Sequence, residues 1–277
     1  MQIVSGGATD VGRVRTNNED CFRIVEPLGL FVLADGMGGE AHGEIASALA
    51  VETVVKHCYE GQRNSAAPLY AEQQGTWSEK TKRLSSAVHL ANKKILESAQ
   101  AHPEQQGMGA TLTAAWIDGN CLSIAHIGDS RAYLLRGGSL QQLTCDHSLV
   151  AEQVRHGILS AVEAERSEMQ SVLLRALGSE PTIEIDCEEH AIFARDILLL
   201  CSDGLTRMVI EPEIAGTLQV EPDADSAARK LVELANDAGG ADNITVIVVR
   251  IGAGSKGWFS WLRLGAHRNA GNGVGGK

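Results

Sequence analysis

Apolar residues recur with two different periods along this chain, and the change of period separates predicted strands from predicted helices. Short apolar runs bounded by turn residues predict strands at residues 21–25, 30–34, 110–117, 122–127, 132–136, 139–143, 183–190, 197–202 and 245–250. Longer segments at residues 43–58, 78–100 and 224–238 repeat apolar residues at helical spacing and predict helices. The tight connections Asp118-Gly119-Asn120 and Gly137-Gly138 indicate hairpins, so neighbouring strands should pair antiparallel.

The order of these elements is not the regular alternation of strand and helix that builds a parallel sheet. Antiparallel hairpins with helices grouped between them predict an α+β protein of layered sheets and segregated helices. Residues 147–177 are helical in pattern but strongly polar, which indicates a flap lying over the body. We expect one domain over residues 1–252 and a Gly-rich C-terminal tail over 253–277, whose Trp258–Leu262 segment is too short for stable membrane anchoring.

Composition narrows the classes of function. The formal charge of −11 over 277 residues argues against a nucleic-acid binder or a binder of anionic membranes. The six cysteines are scattered without a CxxC pair, which favours free thiols in a reducing compartment. The N-terminus lacks a secretory signal, and no apolar stretch approaches the ~18 residues of a membrane span. We therefore expect a cytoplasmic monomer that neither binds nucleic acid nor inserts stably into a membrane.

Five short acidic motifs beside predicted strands carry the candidate chemistry. They are Asn18-Glu19-Asp20, Asp35-Gly36-Met37-Gly38-Gly39, Gly128-Asp129-Ser130-Arg131, Ser202-Asp203-Gly204 and Ala241-Asp242-Asn243. Several carboxylates mounted together on rigid strand ends repel one another unless a cation neutralises them. Oxygen ligands without His or Cys favour Mg²⁺, Mn²⁺ or Ca²⁺ over zinc or iron. The sequence thus predicts an oxygen-lined site for more than one metal ion.

The order and spacing of these motifs resemble a known enzyme family. Residues 12–20, 34–39, 128–131, 201–204 and 242–243 are similar to the motifs of the metal-dependent Ser/Thr protein phosphatases, the PPM family or protein phosphatase 2C type, in its compact bacterial form. The likeness covers residues 1–251 in the right order. It implies a four-layer α-β-β-α sandwich, in which two antiparallel sheets are flanked by helices and the site lies at one edge of the sheets.

The resemblance also implies a set of metal ligands for two core Mn²⁺ or Mg²⁺ ions. Asp35 would bridge the two ions, and the carbonyl of Gly36 would bind one of them, since glycine lets the backbone approach closely. Asp203 and Asp242 would complete the shell of the first ion.

Three further acidic residues extend this set. By the same resemblance, Glu19 and Asp20 would contact metal-bound waters around the pair. Asp129 would help Asp203 to hold a third, weaker ion. The alternative for Asp129 is a turn at a strand end, with its carboxylate paired to Arg131.

Arg15 is the candidate for binding the substrate phosphate. A guanidinium presents paired donors that match a phosphate dianion. The alternative is a salt bridge from Arg15 to one of the site carboxylates. Arg13 is its neighbour, but the family pattern places the phosphate clamp at Arg15.

The source of the proton for the leaving group stays open. Eukaryotic relatives have a His directly after the Asp-Gly, where this chain has Met37, and many bacterial relatives have a His where it has Glu40. The candidates are His42 and a metal-bound water, of which we favour the water. The apolar context of Cys201 predicts a buried structural thiol rather than a nucleophile.

The function that the resemblance implies is hydrolysis of phosphoserine and phosphothreonine in proteins. A metal-bridging water would attack phosphorus directly, with Arg15, Asp35 and Asp203 as the catalytic set. The partners would be phosphorylated proteins, the targets of a partner Ser/Thr kinase. The rival hypothesis is a non-catalytic regulatory module of the same fold that senses metal or a phosphopeptide, which the full set of carboxylates argues against.

Overall fold

Strands from both halves of the chain form two sheets that face each other. The computed structural model describes residues 1–38, 42–64, 69, 77–164 and 166–252. Its strands are β1 (Gln2–Asp10), β2 (Asp20–Val25), β3 (Leu30–Met37), β4 (Gly109–Ala110), β5 (Leu112–Asp118), β6 (Cys121–Ile127), β7 (Arg131–Arg136), β8 (Ser139–Gln142), β9 (Asp186–Ala191), β10 (Ile197–Cys201) and β11 (Ile244–Gly252). The first sheet has the order β1-β11-β10-β7-β8, and the second has the order β2-β3-β5-β6-β9, with β4 beside β3. Their pairings are antiparallel, as the hairpin connections predicted.

The helices lie in two groups, one on the outer face of each sheet. They are α1 (Gly43–Arg63), α2 (Glu79–Ala101), α3 (Leu149–Arg155), α4 (Ala161–Ala164), α5 (Asp203–Thr206), α6 (Glu211–Val220) and α7 (Ala224–Asp237). Helices α1 and α2 cover the second sheet, whereas α6 and α7 cover the first. The molecule is therefore a four-layer α-β-β-α sandwich, which confirms the predicted fold class.

Both faces of the central strands are buried, which explains why they appear in the sequence as continuous apolar runs. In β3, Phe31 and Leu33 pack between the sheets, whereas Leu30 and Val32 pack under α1 and α2. Strand β11 divides its residues in the same way between the inter-sheet core and the layer under α7. Such strands show no polar alternation, because neither face meets water.

Three elements were not predicted, β1, the short α5 and α6. Strand β1 contains few apolar residues, yet it pairs with β11 along its whole length. Its Gly6 packs so closely against α7 that a Cβ atom would lie 2.3 Å from the backbone nitrogen of Asp225. The sequence signal of β1 is weak because a neighbouring strand and a close helix, rather than its own side chains, hold it in place.

The strand predicted at residues 110–117 is interrupted at Thr111, which separates β4 from β5. Ala110 exchanges two backbone hydrogen bonds with Leu177, at 3.1 and 2.8 Å. The backbone nitrogen of Thr111 donates to the carbonyl oxygen of Asp35 at 2.8 Å. A break of this kind re-aims side chains locally, and it lies beside one of the acidic motifs.

Two further observations concern thiols and membrane segments. All six cysteines are free, as their spacing predicted. None of the helices in the described part of the chain has the length and apolar character needed to cross a membrane. The tail predicted at 253–277 lies outside the described residues.

Candidate metal centre

The five acidic motifs meet at one edge of the two sheets. Asp20 and Asp35 are direct cross-strand partners in β2 and β3. Asp203 is the first residue of α5 and follows β10, Asp129 lies in the turn between β6 and β7, and Asp242 lies two residues before β11. Each carboxylate therefore stands at a strand end, as the sequence predicted.

Asp20 is partly buried, and two hydroxyl groups hold its carboxylate. Its Oδ2 accepts hydrogen bonds from Ser202 Oγ at 2.9 Å and from Thr245 Oγ1 at 2.6 Å. Its Oδ1 is buried without a hydrogen-bond partner among the described residues. A buried carboxylate oxygen without a partner is costly unless a cation or a proton satisfies it.

Asp35 is positioned through its backbone by Thr111. The nitrogen of Asp35 donates to Thr111 Oγ1 at 3.0 Å, and Thr111 Oγ1 is 2.7 Å from Ser130 Oγ in the turn that carries Asp129. Thr111 therefore ties the second acidic motif to the third and leaves the carboxylate of Asp35 free to face the other acids.

The buried carboxyl groups raise one another's pKa. Burial, opposed by the hydroxyl donors and reinforced by Asp203 and Asp242, raises the pKa of Asp20 to about 7. Burial and the charge of Asp203 likewise raise the pKa of Asp129 to about 7. The pKa of Asp35 is raised well above its ordinary range, first by burial and then by the charge of Asp20. The cluster is thus unfavourable as a set of free anions.

Asp203 is the carboxylate that Arg207 contacts most closely. Burial raises the pKa of Asp203, and the charge of Arg207 opposes that rise. The Oδ1 atom of Asp203 is buried and has no hydrogen-bond partner among the described residues. The guanidinium thus supplies part of the positive charge that a divalent cation would provide.

The residues present fit a site for hard divalent cations. Within the described part of the chain, no three His, Cys, Asp or Glu side chains already have the geometry of a metal site. The donors are nevertheless all oxygens, two of them are buried without partners among the described residues, and burial together with neighbouring carboxylates raises the pKa values of Asp20 and Asp35. This chemistry suits Mg²⁺ or Mn²⁺.

Gly36 lies where no side chain can be accommodated. A Cβ atom on Gly36 would lie 2.2 Å from the carbonyl oxygen of Gly43 and 2.6 Å from that of Glu19. Gly43, the first residue of α1, is equally restricted by Glu19 and Met37. The glycine that the family pattern requires is therefore also required here for the packing of α1 against the end of β3.

Arg15 reaches the site from the loop after β1. Its Nη2 lies 2.9 Å from Asp242 Oδ2, and 54% of its side chain is exposed. The salt bridge considered as an alternative for Arg15 is thus present in this structure, while about half of the side chain remains open to solvent. Arg13 instead lines a cleft of about 390 Å³ beside α7, together with Asp10 and Arg229.

Asn243 was not assigned a role from the sequence, yet its side chain organises the loop that carries Arg15 and Glu19. Its Oδ1 accepts from the nitrogen of Glu19 at 2.8 Å. Its Nδ2 donates to the carbonyl oxygens of Val11 at 3.0 Å and Asn17 at 2.8 Å. The residue next to Asp242 therefore fixes the loop of the first motif against the start of β11.

The spacing from Cys201 to Arg207 contains five intervening residues, which matches the Cys-X5-Arg loop of cysteine-dependent phosphatases. The structure excludes that chemistry here. Cys201 is fully buried, and burial raises the pKa of its thiol to about 12. Arg207 turns instead toward the carboxylates, with contacts to Asp203, Asp129 and Asp242. Cys201 is the structural thiol that its context predicted.

The other sequence-predicted residues take varied positions. Asp129 contacts Arg207, whereas Arg131 is bound to Asp146 through Nε and Nη2, so the predicted alternative of an Asp129–Arg131 pair is wrong.

His42 precedes α1 in a left-handed conformation, with φ of 69°. Residues 39–41, which include Glu40, lie outside the described residues.

The flap predicted at 147–177 contains less helix than its pattern suggested, namely α3 and the short α4. Its two ends are paired, since Leu149 N donates to Val172 O and Leu174 N donates to His147 O, both at 2.8 Å. It is also less polar at its surface than predicted. The exposed apolar side chains of this segment are Ile158, Val162, Met169, Val172 and Leu174.

Comparisons with known proteins agree with this geometry. The family model described as protein phosphatase 2C matches residues 13–245. The serine/threonine phosphatase Stp of Listeria monocytogenes is 39% identical over 252 residues, which are 90% of this chain and 96% of that protein. The crystal structure of the Mycobacterium tuberculosis serine/threonine phosphatase PstP/Ppp superposes with a TM-score of 0.80 at 36% identity, covering 91% of this chain and 99% of that one.

A second solved structure bears on the metal site. The catalytic domain of PstP in complex with two manganese ions has a TM-score of 0.76 and 36% identity, and the match covers 91% of this chain and 99% of that chain. The resemblance inferred from five motifs is confirmed over nearly the whole described structure. The chain belongs to the protein phosphatase 2C family.

Proposed function

We propose that the carboxylate cluster is the two-metal centre with which this chain, a serine/threonine protein phosphatase, hydrolyses phosphoserine and phosphothreonine in proteins. The activity follows from the family and from close relatives named as serine/threonine phosphatases. The assignment of individual residues rests on this structure. The observation that carries it is the meeting of five carboxylates at one sheet edge, with Oδ1 of Asp20 and Oδ1 of Asp203 buried and unpartnered among the described residues.

The carboxylates and one carbonyl would hold two core ions. Asp35 stands at the centre of the cluster, and Asp203 and Asp242 lie on the side that Arg207 contacts. The Gly36 carbonyl and the groups of Glu19 and Asp20 complete the set. When bound, Mn²⁺ or Mg²⁺ supplies an activated water and neutralises charge on the transferring phosphoryl group.

Arg15 would orient the phosphate. Its half-exposed guanidinium is held near the cluster by Asp242, and Asn243 fixes the loop on which it stands. Only one of its terminal nitrogens contacts Asp242, so the other donors can meet a phosphate dianion in the paired geometry that guanidinium groups provide.

We also propose a third, weaker ion held by Asp129 and Asp203. The two carboxylates share a single guanidinium, with Oδ2 of each facing Nη2 of Arg207. Because both carboxylates face the same positive charge, their arrangement supports the binding of one shared cation on this side of the cluster.

The substrates would be phosphoproteins, the targets of a partner Ser/Thr kinase, in a phosphatase domain over residues 1–252. Residues 147–177 would act as a flap that selects among these substrates. The flap is joined to the turn of Asp129 at its base and exposes apolar side chains, including Ile158 and Val162. Exposed apolar side chains are suited to bind a protein rather than a small phosphoester.

The decisive experiment compares turnover with metal binding. The purified chain is assayed on p-nitrophenyl phosphate and on a phosphothreonine peptide, after chelator dialysis and after addition of Mn²⁺ or Mg²⁺. We expect no activity without metal and recovery with either ion. Full activity in the dialysed sample would contradict a metal centre. Tight Mn²⁺ binding without turnover on either substrate would support the regulatory module instead.

The flap is tested by separating the two substrates. Replacing Ile158, Val162 and Met169 with serine should reduce phosphoprotein turnover while p-nitrophenyl phosphate hydrolysis stays within a few-fold of wild type. A matched control replaces Val220 with serine, which is exposed on α6 at a different layer of the fold. An equal loss of turnover on both substrates would show that the substitutions disturb the metal centre and not the recognition of protein substrates.

A further inference from the structure

Arg207 lies over the carboxylates that would hold the weakest ion. It directly follows α5, and its backbone nitrogen donates to the carbonyl oxygen of Asp203 at 2.9 Å. The side chain thereby returns one helical turn toward Asp203, so that Nη2 lies 2.5 Å from Asp203 Oδ2 and 3.7 Å from Asp129 Oδ2. Nη1 lies 4.0 Å from Asp242 Oδ2.

We propose that Arg207 is a positioning residue that acts as an internal counter-cation: it holds Asp129 and Asp203 together without metal and competes with the weakest-bound ion for them. The inference rests on the proposed function, in particular on the assignment of Asp129 and Asp203 to a third ion. It concerns how this chain sets the affinity of that ion.

The competition is specific to one oxygen of Asp203. Arg207 contacts Oδ2, whereas Oδ1 is buried and has no hydrogen-bond partner in the described structure. A core ion can therefore use Oδ1 while the guanidinium keeps Oδ2. An ion shared with Asp129 needs the side of the cluster that Arg207 occupies, because Nη2 faces Oδ2 of both residues.

Neighbouring arginines do not compete in this way. Arg131 is committed to Asp146, with Nε–Oδ1 and Nη2–Oδ2 distances of 2.9 and 2.7 Å. Arg15 forms its ion pair with Asp242, at 2.9 Å, rather than with Asp129 or Asp203. Only 26% of the Arg207 side chain is exposed, so dissolved salt screens its charge weakly.

The charge of Arg207 is tested with Arg207→Gln, which replaces it with a shorter neutral polar side chain, and Arg207→Lys, which keeps it. Mn²⁺ binding to the chelator-treated full-length protein is measured by calorimetry, and thermal unfolding is measured in chelator. In Arg207→Gln the weakest binding step should tighten by about tenfold, because a unit charge a few ångströms from the ion is removed. The same variant should unfold at a lower temperature without metal.

The matched control is Arg136→Gln, which breaks a comparable ion pair with Asp196 far from the cluster. It should lower the unfolding temperature and leave Mn²⁺ binding unchanged. A merely structural Arg207 would behave like this control. Arg207→Lys should bind the weakest ion within about twofold of wild type, because the charge near the ion is retained.

The inference is overturned if Arg207→Gln binds the weakest ion with unchanged or lower affinity. It is also overturned if Arg207→Lys folds and binds that ion far more tightly than wild type, which keeps the test valid even where the glutamine variant does not fold. Failure of the proposed function gives a different result: wild type would then bind no Mn²⁺ at the cluster and would not hydrolyse p-nitrophenyl phosphate.

Discussion

His147 and Gly128 are joined by two hydrogen bonds that run in opposite directions. The backbone nitrogen of His147 donates to the carbonyl oxygen of Gly128 at 2.7 Å, and the nitrogen of Gly128 donates to His147 Nδ1 at 3.1 Å. Because Nδ1 accepts, the proton lies on Nε2, which is 3.1 Å from Asp186 Oδ2. This buried histidine therefore links the turn of Asp129 to the base of the flap, where Leu174 binds its carbonyl oxygen.

His147→Ala should destabilise the turn that carries Asp129. Removing Nδ1 leaves the buried Gly128 nitrogen without its side-chain acceptor, a loss of about 1–3 kcal/mol in the free energy of unfolding. His147→Asn offers a carbonyl oxygen in a similar place and should recover part of that loss. Urea denaturation of both variants in chelator measures the difference, and an asparagine variant no more stable than the alanine variant would contradict the role of this hydrogen bond.

Asp35→Ala and Asp203→Ala should each lose activity by several orders of magnitude and remain folded. Each variant removes a proposed metal ligand, but it also removes a carboxyl group that repels its neighbours, so the metal-free form should be as stable as wild type or slightly more stable. The control is Asp118→Ala at the opposite end of β5, where the carboxylate is 67% exposed and pairs with Lys80. Assays of p-nitrophenyl phosphate hydrolysis and thermal unfolding decide the matter; near-wild-type turnover would refute the ligand assignment.

The metal-free protein should lose stability as the pH rises through neutrality. The pKa values of Asp20 and Asp129 are about 7 in the folded state, well above the ordinary value of 3.8 that applies to the unfolded chain. The folded state therefore binds more protons between those values, and its advantage disappears as these groups ionise. From about pH 6.5 to about pH 8 these two carboxyl groups should together lower the free energy of unfolding by about 1–2 kcal/mol.

Buried histidines oppose part of this loss in the lower half of the window. The pKa values of His126 and His147 are lowered, chiefly by burial, to about 4 for His126. Near their ordinary pKa of about 6.5 these groups bind fewer protons in the folded state than in the unfolded chain, so they add stability as the pH rises to about 7.5. Urea denaturation in chelator across the window measures the slope. Asp20→Asn should flatten it, whereas saturating Mn²⁺ should weaken or reverse it, since the ions bind ionised carboxylates.

Arg15→Ala should weaken phosphoester binding more than it slows the chemical step. The loss of a charge-assisted, paired contact corresponds to about 1.5–3 kcal/mol, which should appear mainly as a higher KM. Arg13→Ala is the control, because Arg13 lines the separate cleft beside α7. Steady-state kinetics and Mn²⁺ calorimetry together separate the alternatives: lower metal affinity at unchanged KM would make Arg15 a structural partner of Asp242.

Elements buried on both faces could be predicted from the sequence, whereas elements held by neighbours could not. Strand β3 shows its character directly, because Phe31 and Leu33 face one core and Leu30 and Val32 the other. Strand β1 has little apolar content, and its place depends on pairing with β11 at the other end of the chain. The break at Thr111 also escaped prediction, because it is produced by contacts with Asp35 and Leu177.

The same distinction applies to the site. The acidic motifs could be predicted because carboxylates at strand ends have a chemical meaning of their own. Asn243 could not, since its side chain acts on Asn17 across 226 positions of sequence. Arg207 carried one usable signal, its position one helical turn after Asp203, but that spacing gains meaning only once Asp129 is placed beside it.

The pairing of Asp20 with Asp35 has a consequence for how the chain folds. Two carboxylates placed directly opposite each other on adjacent strands disfavour the very alignment that creates the site. A slip of one residue between β2 and β3 would turn Asp20 to the other face of the sheet and relieve that repulsion. A divalent ion held at this site, directly by Asp35 and through bound water by Asp20 as proposed, would reverse this preference, because both carboxylates face it only in the native alignment. Such an ion would then also favour the native register of β2 and β3 while the protein folds.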